Sequence, residues 1–212
     1  MRRAELESSD PLLFQEVARD CLVGYLTLLT GSGHPRAIAL NFAAIGQVIY
    51  FHGALAGEKF TLISEGPLAG FTMVKPYSTI PSYWTTPGNA CPATQFFKSV
   101  EIRGRCQAVS DVQEKARGLQ ALMEKHQPEG GFDPILPEVP AYRQALQRVG
   151  VFRVVPQSWT GKVKFGQNEP PKVRQMILEG LRKRGLPLDA ETAREILRTS
   201  ENDGSGPAGP LP

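Results

Sequence analysis

The stretch PRAIALNFAAIGQVIYFHGALAGEKFTLI, Pro35–Ile63, decides the reading of this chain. Pro35 to Ala44 is a strand-forming run, Ile45-Gly46-Gln47 is a turn, and Val48 to His52 is a second run of β-branched and aromatic residues. Two such runs around a short glycine turn read as a β-hairpin. In the first run Ala37, Ala39, Asn41 and Ala43 point one way, and Arg36, Ile38, Leu40 and Phe42 the other. That row of small residues leaves room for something flat on the sheet, or for close packing against another strand or a partner subunit. A helix is predicted over 56–65, with Lys59 in its first turn. A helix N-terminus offers free N–H groups and partial positive charge to an anion, and a lysine adds a mobile charge. A solvated Lys59 and a structural His52 are the plainer alternatives.

Upstream, Asp10-Pro11 reads as an N-cap and a first-turn proline for a helix over 10–20, followed by a strand from Leu22 to Thr30. Downstream come a strand from Leu68 to Lys75 and a long Pro/Ser/Thr loop from Pro76 to Pro92. Thr94 to Val109 is the clearest strand, because Val100, Ile102, Gly104, Cys106 and Ala108 alternate with polar residues. Ser110 is the expected cap of a helix carrying Val112, Ala116, Leu119 and Met123, with Gln113 in the capping-box position. A short helix at 141–147, a closing strand at 149–157, and two helices over 172–184 and 189–198 complete the order. Many strands with few intervening helices suit an antiparallel barrel with helices at its ends rather than a doubly wound sheet.

The charge balance, 24 basic against 21 acidic residues, is too even to suggest a nucleic-acid partner. Three cysteines, Cys21, Cys91 and Cys106, fit a reducing cytoplasm better than a disulfide framework. With three histidines and no CxxC, no metal site is expected. Neither a signal peptide nor a membrane span is expected, since no apolar run is long enough.

Two further places carry possible chemistry. Lys98 shares the parity of Val100 and Ile102, so it must reach a barrel mouth or pair with an anion, because burying it unpaired is costly. Ser99 beside it offers a hydroxyl. Trp159-Thr160-Gly161-Lys162 follows the closing strand and sets an aromatic, a hydroxyl and a cation together, although Trp159 as plain core reads equally well. Cys106, on an apolar strand face, reads as inert core, and Cys91 has no adjacent base in sequence.

The hairpin segment, ACPATQFFKSVEIRGRCQAV, VQEKARGLQALMEKH and WTGK together resemble the pyridoxamine 5′-phosphate oxidase-like, FMN-binding split-barrel family over about residues 10–165. Within it the chain is most similar to the flavin-nucleotide-binding group related to the NimA nitroimidazole-resistance proteins. The resemblance implies a mainly β α+β fold: a six-stranded antiparallel split β-barrel with flanking helices. It implies a split-barrel domain at 1–165, a helical extension at 166–199 and a disordered tail at 200–212. It further implies a cytoplasmic homodimer with two FMN sites at the interface. Asn41 and Phe42 would lie along the ring system, with Thr72 in the same cofactor set. His52, Gly57 and Lys59 would serve the ring edge and phosphate, Lys98 and Ser99 the phosphate, and Trp159 and Lys162 would approach from the closing strand.

Two function classes follow. One is a flavin-dependent oxidoreductase acting on a nitroaromatic or other small conjugated molecule, with His52 placing substrate or donating a proton. The other is a non-catalytic protein that stores or senses FMN, or haem with His52 as an axial ligand. A deazaflavin cofactor is a variant of the first.

Overall fold

The computed structural model describes residues 4–202. Helix α1 spans Pro11–Asp20, and the Asp10 carboxylate accepts from the Leu12 N–H at 2.9 Å while Pro11 occupies the first turn, as the sequence predicts. The strands are β1 (Glu7–Ser8), β2 (Val23–Leu29), β3 (Pro35–Asn41), β4 (Ala43–Ile45), β5 (Val48–Gly53), β6 (Leu68–Ile80), β7 (Thr94–Ala108) and β8 (Gly150–Lys164). The remaining helices are α2 (Glu58–Ile63), α3 (Val112–His126), α4 (Pro140–Arg148), α5 (Pro171–Arg184) and α6 (Asp189–Asn202). None of the described helices is long and apolar enough to cross a membrane.

The strand order is β3-β2-β6-β7-β8-β5-β4, with β1 pairing to β8. The sheet thus has eight strands where six are expected. One reason is that the Pro35–Ala44 run breaks at Phe42, so β3 pairs with β2 while β4 forms the hairpin with β5. Ile45 faces Val48 across Gly46-Gln47, and Gly46 adopts φ +60°, which a two-residue turn demands and glycine supplies. β6 and β8 also run further than the sequence suggests. Part of the loop expected over 76–92 is strand, and Trp159 and Lys162 lie inside β8 rather than after it. The cap of α3 is Asp111, whose carboxylate takes the Glu114 N–H at 2.7 Å, not Ser110.

The described residues gather into two compact units. The larger contains 9–74 and 100–161. Its core holds Leu26, Phe42, Ile49, Phe51, Phe71, Val100, Ile102, Phe152 and Val154, all essentially buried. Phe42 meets Phe71 edge-on at 5.1 Å, and Phe51 stacks on Phe152 at 5.3 Å. Cys106 is buried here, and burial pushes its thiol up to about 12, so it is inert as expected. Gly118 lets α3 settle on the Tyr50 ring, where an added Cβ would come within 2.8 Å.

The smaller unit contains 4–8, 75–99 and 162–202. Tyr77, Ile80, Phe96, Phe165, Ile177, Leu181 and Ile196 form its core. Ser78 donates to Asp189 at 2.6 Å, and Arg184 holds the same carboxylate with two nitrogens. α6 continues through 200–202, where the Ser200 hydroxyl accepts from Arg174 at 2.8 Å. The rest of the tail expected to be disordered, 203–212, lies outside the described residues.

The Arg184 hydrogen bond, with help from Ser78 and the Leu186 N–H, holds the Asp189 carboxyl at about 2, against an ordinary value of 3.8. A depressed carboxylate stabilises the fold above its unfolded value, about pH 4, and that contribution is lost as pH falls through about 2. The denaturation midpoint of the protein should therefore fall more steeply between those pH values than that of Asp189→Asn. Parallel acid curves would show that the pairing contributes nothing.

Candidate functional site

β2 and β3 fix one face of the larger unit by register. Ala37 pairs with Thr27, Ala39 with Tyr25 and Asn41 with Val23. On the other side of β2, Tyr25 pairs with Thr72 and Thr27 with Gly70. Partners across a ladder share a face, so Asn41 and Thr72 lie on the same outward surface. Ala37, Ala39 and Asn41 are exposed, as are Val23 and Tyr25. The small-residue row predicted from the sequence is thus open at Ala37, Ala39 and Asn41, beside the exposed Tyr25, but it ends there, because Ala43 is buried in β4.

Phe42 does not belong to it. Its side chain is fully buried against Phe71, so it cannot lie along a cofactor ring. The Lys125 ammonium sits 3.5 Å from the centre of the Phe42 ring and donates to the carbonyls of Ala18 and Cys21 at 2.7 and 2.6 Å. Burial pushes that ammonium down to about 8, partly offset by Cys21 and Asp20.

His52 and Lys59 take opposite sides of β5. His52 shares the parity of Tyr50, the side covered by α3, and is exposed. Lys59 instead turns its ammonium toward the Phe51 and Phe152 rings, 5.8 and 5.9 Å from their centres, and close to Gly53. The two side chains therefore do not share a face of β5. Gly57 precedes the short α2 with φ +86° and leaves Lys59 in its first turn.

In the smaller unit, Lys98 is completely buried and paired with Glu195 at 2.9 Å. The anion its strand position requires comes from α6, and its charge is not offered to an outside phosphate. Ser99 is half-buried beside it. Lys162 lies 5.2 Å over the Phe97 ring. Trp159, in the larger unit, packs edge-on against Phe14 at 5.5 Å and is half-buried, which fits its reading as core.

The side chains that do come together are Asn41 and His52. They line a cavity of about 480 Å³ with His126, Met123 and Tyr142, closed by Leu122, Leu146 and other apolar residues of α3 and α4. His126 and Tyr142 were not read as site residues from the sequence. The available signal was spacing: His126 follows Leu119 and Met123 on one helical face. An apolar cleft with a few convergent polar groups is the usual form of a small-molecule site.

Solved structures show the same fold. A protein assigned to 5-nitroimidazole antibiotic resistance from Bacteroides thetaiotaomicron matches at 18% identity and TM-score 0.60, covering 74% of this chain and 86% of that one. The flavocytochrome Anf3 from Azotobacter vinelandii matches at 20% identity and TM-score 0.62, over 75% and 69%. An FAD and heme binding protein from Mycobacterium smegmatis matches at 14% identity and TM-score 0.63, over 74% and 73%. No curated protein sequence matches this chain significantly. The sequence does match the family model described as pyridoxamine 5′-phosphate oxidase over residues 15–163, well over half of its length, and the chain belongs to that family.

Proposed function

We propose that this protein binds a flavin-type cofactor, FMN in the first instance, and works as an oxidoreductase on a small conjugated molecule. The observation that carries this reading is the junction at Asn41. There the surface carrying Ala37, Ala39 and Thr72 meets the His52–His126 cavity. Ala37 and Ala39 place nothing beyond Cβ on that surface, which leaves room for a planar ring beside Tyr25. A bound flavin supplies the electron-carrying chemistry. Asn41 and Thr72 orient the ring, His52 positions the second molecule in the cavity or gives it a proton, and the apolar helix residues keep water out. Family membership and the cofactors named for two of the structural neighbours support the reading.

The same surface carries Val23, Tyr25 and Val74, each more than two-fifths exposed. A second copy of the chain covering it would form a homodimer with the cofactor at the interface. Two histidines in one cavity also suit haem iron, which a Soret band in the purified protein would reveal.

The test is the visible spectrum together with one variant. Wild type should show flavin bands that bleach with a reduced nicotinamide and return with an acceptor. Ala39→Trp adds bulk where the fold has space, so it should reduce flavin retention at least tenfold and shift the thermal midpoint by only a few degrees, roughly the effect of a surface change. A colourless wild type that takes up no added FMN would sink the flavin reading.

A further inference from the structure

Three polar groups of the Asn41–His126 cavity each spend a donor on a backbone carbonyl. Asn41 turns its amide nitrogen to the Leu22 carbonyl at 3.2 Å. Tyr142 gives its hydroxyl hydrogen to the Asp133 carbonyl at 3.0 Å. His126 Nε2 lies 3.1 Å from the Phe42 carbonyl. A carbonyl oxygen can only accept, so each of these bonds uses a donor and leaves an acceptor behind. In its neutral form, His126 therefore carries its hydrogen on Nε2 and keeps a lone pair on Nδ1. Asn41 is oriented with Oδ1 away from the nitrogen that serves Leu22, and Tyr142 keeps its oxygen lone pairs. His52 makes none of these bonds. The rest of the lining, including Leu119, Leu122 and Met123, is apolar.

We propose that this cavity selects a small, mainly apolar ring compound bearing O–H or N–H donors, with His126 Nδ1 as the group that accepts from it. Isosteres that only accept, such as nitro compounds and methyl ethers, leave the His126 Nδ1 lone pair without a donor and are discriminated against, with only the second Asn41 N–H and a His52 ring N–H left to serve them. The proposal deepens the reading of the cavity as the substrate end of the site. It rests on that reading for the cavity's role and not on the identity of the cofactor. Discrimination follows because a donor lost on the ligand leaves a polar group of the site without its partner in the complex.

The experiment measures binding of 2-naphthol, 2-methoxynaphthalene and 2-nitronaphthalene to the purified full chain by calorimetry, with its absorbance spectrum recorded alongside. 2-Naphthol should bind on the order of tenfold or more tighter than either isostere. In His126→Phe that ratio should fall toward one, while the methyl ether still binds, because the apolar walls remain. Tyr142→Phe, which deletes a single oxygen, should lower the ratio in the same direction and serves if His126→Phe does not fold. A wild-type ratio near one, a preference for the nitro compound, or an unchanged ratio in both variants overturns the proposal. A colourless protein that takes up no added FMN yet prefers 2-naphthol defeats the flavin reading alone. A yellow protein that prefers the ether defeats this proposal alone.

Discussion

Glu195→Ala should destabilise the protein by about 3–5 kcal/mol, one of the largest effects of any single substitution outside the packed core. The Lys98 ammonium has no exposed surface, and Glu195 approaches it at 2.9 Å. Removing that carboxylate takes a charged partner from a fully buried lysine that lies near Tyr77 and Phe165, with the rings 5.7 and 5.9 Å away. Ring faces attract a cation, by about 2 kcal/mol or more when desolvated, which offsets only part of the lost carboxylate. The double change Lys98→Met with Glu195→Leu should recover most of the loss, since a buried ion pair is often no better than apolar residues of similar volume. Urea denaturation measures both. An effect of Glu195→Ala below about 1 kcal/mol, the scale of surface pairs, would mean that water reaches the lysine.

Gly104→Ala should be comparably severe, costing about 3 kcal/mol or more. A Cβ on Gly104 would lie 2.1 Å from the Val155 carbonyl oxygen and 2.9 Å from its carbon. Both are backbone atoms of β8, so no side chain can swing aside, and the two strands must separate. Gly31→Ala is the control. Nothing lies within 4 Å of its added methyl, and its midpoint should not move measurably. Equal midpoints for the two variants would show that the β7–β8 ladder adjusts freely.

The strand pattern was legible where one face is buried. Phe96, Lys98, Val100, Ile102, Gly104 and Cys106 are all buried and their alternating neighbours are not, so a period of two announced β7. β8 was read short because Pro156-Gln157-Ser158 breaks that alternation, and a proline removes a ladder donor. Pairing carries the strand past the interruption to Lys164. The split of Pro35–Ala44 was less visible, because β3 and β4 differ in partner and not in composition.

The same contrast holds for the site. Parity alone placed Asn41 on the small-residue face and Phe42 on the opposite one, and the structure agrees. Family resemblance set Phe42 beside the ring, and its packing against Phe71 overrules that. His126 escaped notice because what fixes its tautomer is a carbonyl 84 residues away, which no local pattern records. Lys98 was correctly read as needing an anion. Its source in α6 was not legible, since ninety-odd residues separate the pair in the chain.

The grip of Lys125 on the end of α1 has a consequence for how the chain assembles. The carbonyls of Ala18 and Cys21, at the end of α1, are satisfied by a side chain 107 and 104 residues later. During synthesis at about 5–20 residues per second, the first helix would wait roughly 5–20 s before that lysine exists. Until then the Ala18 and Cys21 carbonyls lack that partner. The end of α1 is therefore locked in place only once α3 has been made.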